Sequence, residues 1–137
     1  MDTPIEFPDP QLAVRDLLRV VLANDDLGEN ATVSTRGIPG ADESRSFPYI
    51  QVRSDGSFRD ARLNGRATVR VLVYHEDEGK SQALALRAEA RLLAASSDKV
   101  RGCSPVTGPL PPIGGDPDTG DPLSYFTITA RLRPRQL

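Results

Sequence analysis

Asp118, Thr119 and Gly120 form Asp-Thr-Gly, the tripeptide that carries the catalytic carboxylate of aspartic proteases, inside the loop "GGDPDTGDP". That chemistry needs two carboxylates sharing one proton, each shielded among apolar residues. Here Asp116 and Asp121 flank the tripeptide, each followed by a proline, Pro117 and Pro122, so the setting is polar and reads as an Asx/Gly turn. The alternating acids of "DPDTGD" also suggest the start of a calcium loop, but the internal prolines and the absence of a downstream bidentate Glu argue against one.

His75 is the only histidine and is followed by Glu76, Asp77 and Glu78. Four consecutive residues cannot converge on one ion at a strand end, so this cluster reads as a solvated strand-to-helix junction whose acids suit a helix's first turn. Cys103 is the only cysteine, which rules out an internal disulfide and a multi-cysteine zinc site, and it reads as a small hydrophobe. The sequence has no Gly-rich phosphate loop, nucleophile elbow or aromatic series for single-stranded nucleic acid. Asn30-Ala-Thr is a glycosylation sequon only in a secreted protein. No catalytic residue, cofactor or metal is expected, and the chain does not read as an enzyme.

The 137 residues, 38% apolar and 26% charged, suit a single domain over 1–137 with an extended N-terminal arm over 1–8 and a C-terminal tail over 134–137. The start "MDTPIEFPDP" is acidic without an apolar signal core, and no run is long and apolar enough to span a bilayer, so neither secretion nor membrane association is expected. A net charge of −2 gives no bulk attraction to nucleic acid, although "RLRPRQL" is locally basic. Fifteen of the seventeen basic residues are Arg, which suits multidentate pairing at interfaces; a GC-rich genome is the alternative reading.

Asp9 as N-cap and Pro10 at the first helical position start a helix with Val14, Leu17, Leu18, Val21 and Leu22 on its apolar face; Asn24 to Gly28 end it. Three strand-like runs follow: "ATVSTRG", "FPYIQVRS" and "RATVRVLVYHE". The polar loop "IPGADESRS" separates the first two, and "DGSFRDARLNG", a turn or extended hairpin arm, separates the second from the third. A second helix over "DEGKSQALALRAEARLLAASSDK" is expected to place Ala83, Leu86, Ala90 and Leu93 on its main stripe, widened by Leu84, Ala88 and Leu92, an arc broad enough to be covered by its own sheet and by a partner. "VRGCSPVTGPLPPIGG" is confined by its prolines to a sheet edge. "YFTITARLR" is a strand with Phe126, Ile128, Ala130 and Leu132 inward. The order α-β-β-β-α-β-β implies an α+β fold with two helices on one face of a mainly antiparallel sheet of four to five strands.

The segments "LAVRDLLRVVL", "VSTRGIP", "SRSFPYIQVRSDG", "ATVRVLVY", "ALALRAEARLL" and "DPDTGDPLSYFTITARLR" together resemble tail terminator proteins of long-tailed, siphovirus-type bacteriophages, especially those of actinobacterial hosts. The resemblance spans most of the chain and rests on structural rather than catalytic signatures. It departs at "TRGIPGADES", where Gly37 and an acidic insert stand in place of a more apolar turn, and at "RSDGS", with one glycine where relatives carry two. It implies a structural virion protein located in the tail at the neck and assembled in the host cytoplasm. Such proteins form a homo-oligomeric ring, usually hexameric, that caps the tail tube, stops its polymerisation and meets the head–tail connector or stopper protein. DNA passes through the ring without sequence-specific binding. Another neck or tail-completion protein, or an unrelated α+β oligomeric binding module, stays open beside it. Candidate subunit or tube contacts are Arg36, Arg45, Arg53 and Arg70 at strand ends and faces, and Phe58 with Arg59 in the polar arm.

Overall fold

A computed structural model describes residues 3–40, 46–110, 115–116 and 119–137. In chain order the elements are β1 (Ile5–Glu6), α1 (Pro10–Leu22), β2 (Thr32–Ser34), β3 (Tyr49–Ala61), β4 (Asn64–Tyr74), α2 (Glu78–Leu93), β5 (Val100–Leu110), β6 (Leu123–Leu132) and β7 (Arg135–Gln136). The fold is α+β: a five-stranded sheet in the order β2-β3-β4-β6-β5, two helices on one of its faces, and a separate two-stranded sheet of β1 and β7. Only the β2–β3 pair is parallel within the main sheet.

Alternation sets the layers. Val69, Val71 and Val73 on β4 and Phe126, Ile128 and Ala130 on β6 are fully buried beneath the helices, as are Ile50 and Val52 on β3. Each large apolar side chain so buried contributes about 1.5–3 kcal/mol. α1 starts where the sequence places it: the Asp9 carboxylate accepts from the Gln11 and Leu12 amides, with Pro10 in the first turn. Its buried face is Ala13, Val14, Leu17, Leu18 and Leu22.

α2 differs from expectation in which stripe faces inward. Leu84, Ala85, Ala88 and Leu92 are buried, together with Ser81, whereas Ala83, Leu86 and Ala90 are exposed and Leu93 is half-buried. The small Ala85 and Ala88 let the helix axis approach the sheet, and Ser81 is accommodated because its hydroxyl donates to the Glu78 carbonyl and meets the Ser124 hydroxyl. A broad apolar arc leaves such a choice open in sequence; the fit of small residues against β4 and β6 decides it.

The stretch 55–65, expected as a turn or extended hairpin arm, is the hairpin: β3 and β4 continue through it and turn at Arg62 and Leu63, and β6 accompanies β4 down to Gly65. β5 lies at the sheet edge, as its prolines require. The segments expected as N-terminal arm and C-terminal tail meet in the β1–β7 pair, with Arg135 ion-paired to Glu6.

Candidate functional site

The helices cover one face of the sheet; on the other, loop residues bury Tyr49 and Tyr74, whose hydroxyls donate to the Arg36 and Gly37 carbonyls and to the Asp116 carboxylate, and no helix or strand covers the remainder. Its strand positions are the out-facing set of the alternation: Gln51 and Arg53 on β3, Arg66, Thr68, Arg70 and Leu72 on β4, and Tyr125, Thr127, Thr129 and Arg131 on β6. Three of the sequence-derived candidates, Arg53, Phe58 and Arg70, lie on this face.

Two β-bulges shape its β3 side. The register of β3 against β4 shifts between Ser54 and Gly56 and again between Arg59 and Ala61, which leaves Asp55 and Asp60 as the extra residues. Each reaches an arginine of β4. Asp55 takes a two-point contact from Arg70, at 2.8 Å from Nη2 and 3.2 Å from Nε, and Asp60 accepts from Arg66 Nε at 3.0 Å. The Asp55 hydrogen bonds are the main reason the Arg70 guanidinium is held above its ordinary pKa, with burial opposing. Gly56 follows the first bulge at φ +145°, which favours glycine there.

The candidate residues separate in this setting. Arg53 is exposed on the uncovered face, with no side-chain partner among the described residues. Arg70 sits beside it but is engaged by Asp55. Phe58 is 55% exposed and lies under Arg66, whose guanidinium carbon is 5.4 Å from the ring centroid. Arg59 points to the opposite side, packs over the Phe7 ring at 4.9 Å and donates to the Ile5 carbonyl, so it ties the N-terminal segment to the hairpin. Arg36 is exposed past the end of β2, where its carbonyl and that of Gly37 accept from the Tyr49 hydroxyl. Arg45 lies outside the described residues. Sequence reasoning missed Arg66, Arg101 and Arg131, which gather with Asp60 at the lower end of the same face. Their link depends on strand register, which nothing local in the sequence specifies.

On the helix-layer side, an open groove of about 1270 Å³ lies between the N-terminal segment, the first turn of α1 and the hairpin. Phe7, Pro8 and Leu12 give it an apolar wall, with Arg59 and Lys99 at the rim. It brings together no nucleophile with a base. Among the described residues, no group of three His, Cys, Asp or Glu side chains could hold a metal ion.

Asp118 and Pro117 of the Asp-Thr-Gly loop lie outside the described residues. The flanking residues centre on Asp116: its side chain accepts from the Thr119 amide and the Tyr74 hydroxyl, and its backbone exchanges hydrogen bonds with Gly120 and Asp121. Gly115 and Gly120 both have positive φ, and a Cβ on Gly115 would lie 2.7 Å from the Gly120 carbonyl oxygen. At the β4–α2 junction the Asp77 side chain caps α2 by accepting from Lys80 N–H, and His75 accepts from the Glu76 amide through Nδ1. Burial and the nearby Lys80 charge lower the His75 pKa, outweighing Glu76 and Asp77. Burial pushes the Cys103 thiol up to about 11.

Among the described residues, no helix is long and apolar enough to cross a membrane. No protein-family model matches the chain, and no curated protein is detectably similar to it.

Proposed function

We propose that the chain is a structural virion protein of a long-tailed phage: a ring subunit that caps the tail tube, ends its polymerisation and joins the tail to the head connector. The reading rests on the six segments named above, and the observation that supports it is the one-sided layering of the fold. A five-stranded sheet has helices on one face only, and the other face carries exposed and half-buried Arg, Thr, Leu and Tyr side chains, a composition suited to partner contact. A terminator must satisfy the growing face of the tube while presenting nothing like it in return, and a rigid scaffold with different surfaces on its two sides meets that requirement.

Both edges of the sheet fit the same reading. Beyond Tyr49–Gln51, where β2 pairs with it, β3 is itself the edge and carries the Asp55 and Asp60 bulges. The β5 edge has register shifts and prolines at 105 and 109. Irregular edges of this kind discourage open-ended strand addition.

Light scattering on the purified chain, alone and mixed with tail tube protein, tests the proposal. A closed ring, and tubes that stop growing when it is added, are the expected results. A chain that remains monomeric in both conditions would overturn it.

A further inference from the structure

The uncovered face contains two like-charge pairs in direct register. Arg53 of β3 stands opposite Arg70 of β4, and Arg66 of β4 stands opposite Arg131 of β6. Like charges directly opposed across a sheet destabilise it. The chain supplies each pair with one carboxylate: Asp55 on Arg70 and Asp60 on Arg66. Arg53 and Arg131 are both exposed and have no side-chain partner among the described residues, and the same holds for Arg101 in the bulge next to Arg131. Five arginines therefore share this region with two acids, in a chain whose formal charge is −2. The compensating negative charge lies elsewhere on the molecule.

One place is the β4–α2 junction, at the opposite end of the strands from Arg66 and Arg131. Glu76, Asp77 and Glu78 are consecutive and exposed there, and no ion pair involves them among the described residues. We propose that the uncovered face is occupied by a second copy of this chain, whose Glu76–Glu78 segment meets Arg53, Arg131 and Arg101. This deepens the ring reading and rests on it, because it names the subunit contact.

Three observations favour this occupant. A two-fold contact of the face with itself would set arginine on arginine, so self-association must be head-to-tail, the arrangement that closes rings. The irregular edges of β3 and β5 disfavour joining subunits by extending the sheet, which leaves the faces. Leu72, Tyr125 and Leu110 also lie in one register row, two residues along β4 from the Arg53–Arg70 row, and supply an apolar patch of the kind a protein interface uses. A nucleic acid would be drawn by overall positive charge, and this chain is acidic.

The test is a charge swap read by light scattering in low salt, with tail tube protein present and absent, and with circular dichroism to confirm folding. The Arg53→Glu/Arg131→Glu chain should fall to the mass of one chain, and so should Glu76→Lys/Glu78→Lys. Asp77 is left in place because it caps α2. Mixing the two variants should restore the ring, since every contact in an alternating ring then joins opposite charges. If the wild type forms a ring and Arg53→Glu/Arg131→Glu forms it equally well, this contact is wrong while the ring reading stands. A monomeric wild type in both conditions overturns both. If the arginine variant keeps its mass but loses binding to duplex DNA, the face belongs to nucleic acid and the contact is likewise overturned.

Discussion

The Asp25 carboxylate, fully shielded from solvent, lies 3.0 Å from Nη1 of Arg87 and joins the end of α1 to the middle of α2. Arg91, one turn further along α2, adds a second contact at 2.8 Å, and the Leu27 amide donates to the same side chain. Burial alone would raise the Asp25 pKa. The Leu27 hydrogen bond and then those of Arg87 and Arg91 outweigh it and hold the group at about 2. The Asp25 backbone also accepts from Gly28 and Glu29, so one residue fixes both the turn after α1 and the seam between the helices.

Removing this carboxylate leaves two arginines facing a cavity. Asp25→Ala is expected to destabilise the fold by about 1.5–3 kcal/mol, as for the loss of charge-assisted hydrogen bonds whose arginine partners stay in reach of solvent. Asp26, which also touches Arg87 but is mostly exposed, should cost less than about 1 kcal/mol on the same change. Urea unfolding of the two variants checks the difference, and equal midpoints would refute it.

The same carboxylate predicts an acid limb. Its folded pKa lies below the ordinary value of 3.8, so its contribution is complete above that value and is lost as pH falls towards 2. The loss should amount to roughly 2 kcal/mol, from a shift of nearly two pKa units. Asp25→Asn should flatten the stability profile between pH 4 and about 2. Parallel profiles for wild type and variant would contradict the assignment.

Local chemistry made the elements legible, and register hid the site. Asp9 and Pro10 announced α1, the prolines of β5 announced an edge, and the alternation from Tyr125 to Leu132 announced a half-buried strand. Asp25 read only as part of a polar helix end, because its partners Arg87 and Arg91 lie more than sixty residues away. The Arg53–Arg70 and Arg66–Arg131 oppositions depend on how three strands align. The bulges at Asp55 and Asp60 shift that alignment without any local signature beyond Gly56.

Gly65 is needed for space. A Cβ there would lie 2.7 Å from Cδ1 and Cε1 of Phe7, whose ring also lies under the Arg59 guanidinium. Gly65→Ala should displace the ring at a cost of about 1–3 kcal/mol, typical of overpacking. It should also loosen the N-terminal segment, seen as faster hydrogen exchange at the Leu137 amide, which donates to Pro4. Unchanged exchange would show that Phe7 does not anchor that segment.

Asp116 holds together the described residues of the loop before β6. Asp116→Ala removes the acceptor for the Tyr74 hydroxyl and the Thr119 amide, and should lower stability by about 1–3 kcal/mol. Asp118→Asn should leave both stability and ring formation unchanged if the loop is a turn. Thermal melts of the two variants separate these roles.

Cys103 gives a reporter that needs no added label site. It is opposite Ala130 in the β5–β6 ladder, packs against the core and is kept protonated by burial, with its pKa pushed up to about 11. Only the thiolate reacts, so the folded chain should resist alkylation at pH 8 and the unfolded chain should not. Because the folded pKa is raised, this contribution is intact below the ordinary value of 9.0 and fades as pH climbs towards 11. Mass spectrometry after brief iodoacetamide treatment across a urea series should therefore trace the unfolding curve, with Cys103 labelled only in the unfolded fraction. Equal labelling in native buffer would mean that the β5 edge opens without global unfolding, and that its bulges and prolines hold it less firmly than the ladder to β6 implies.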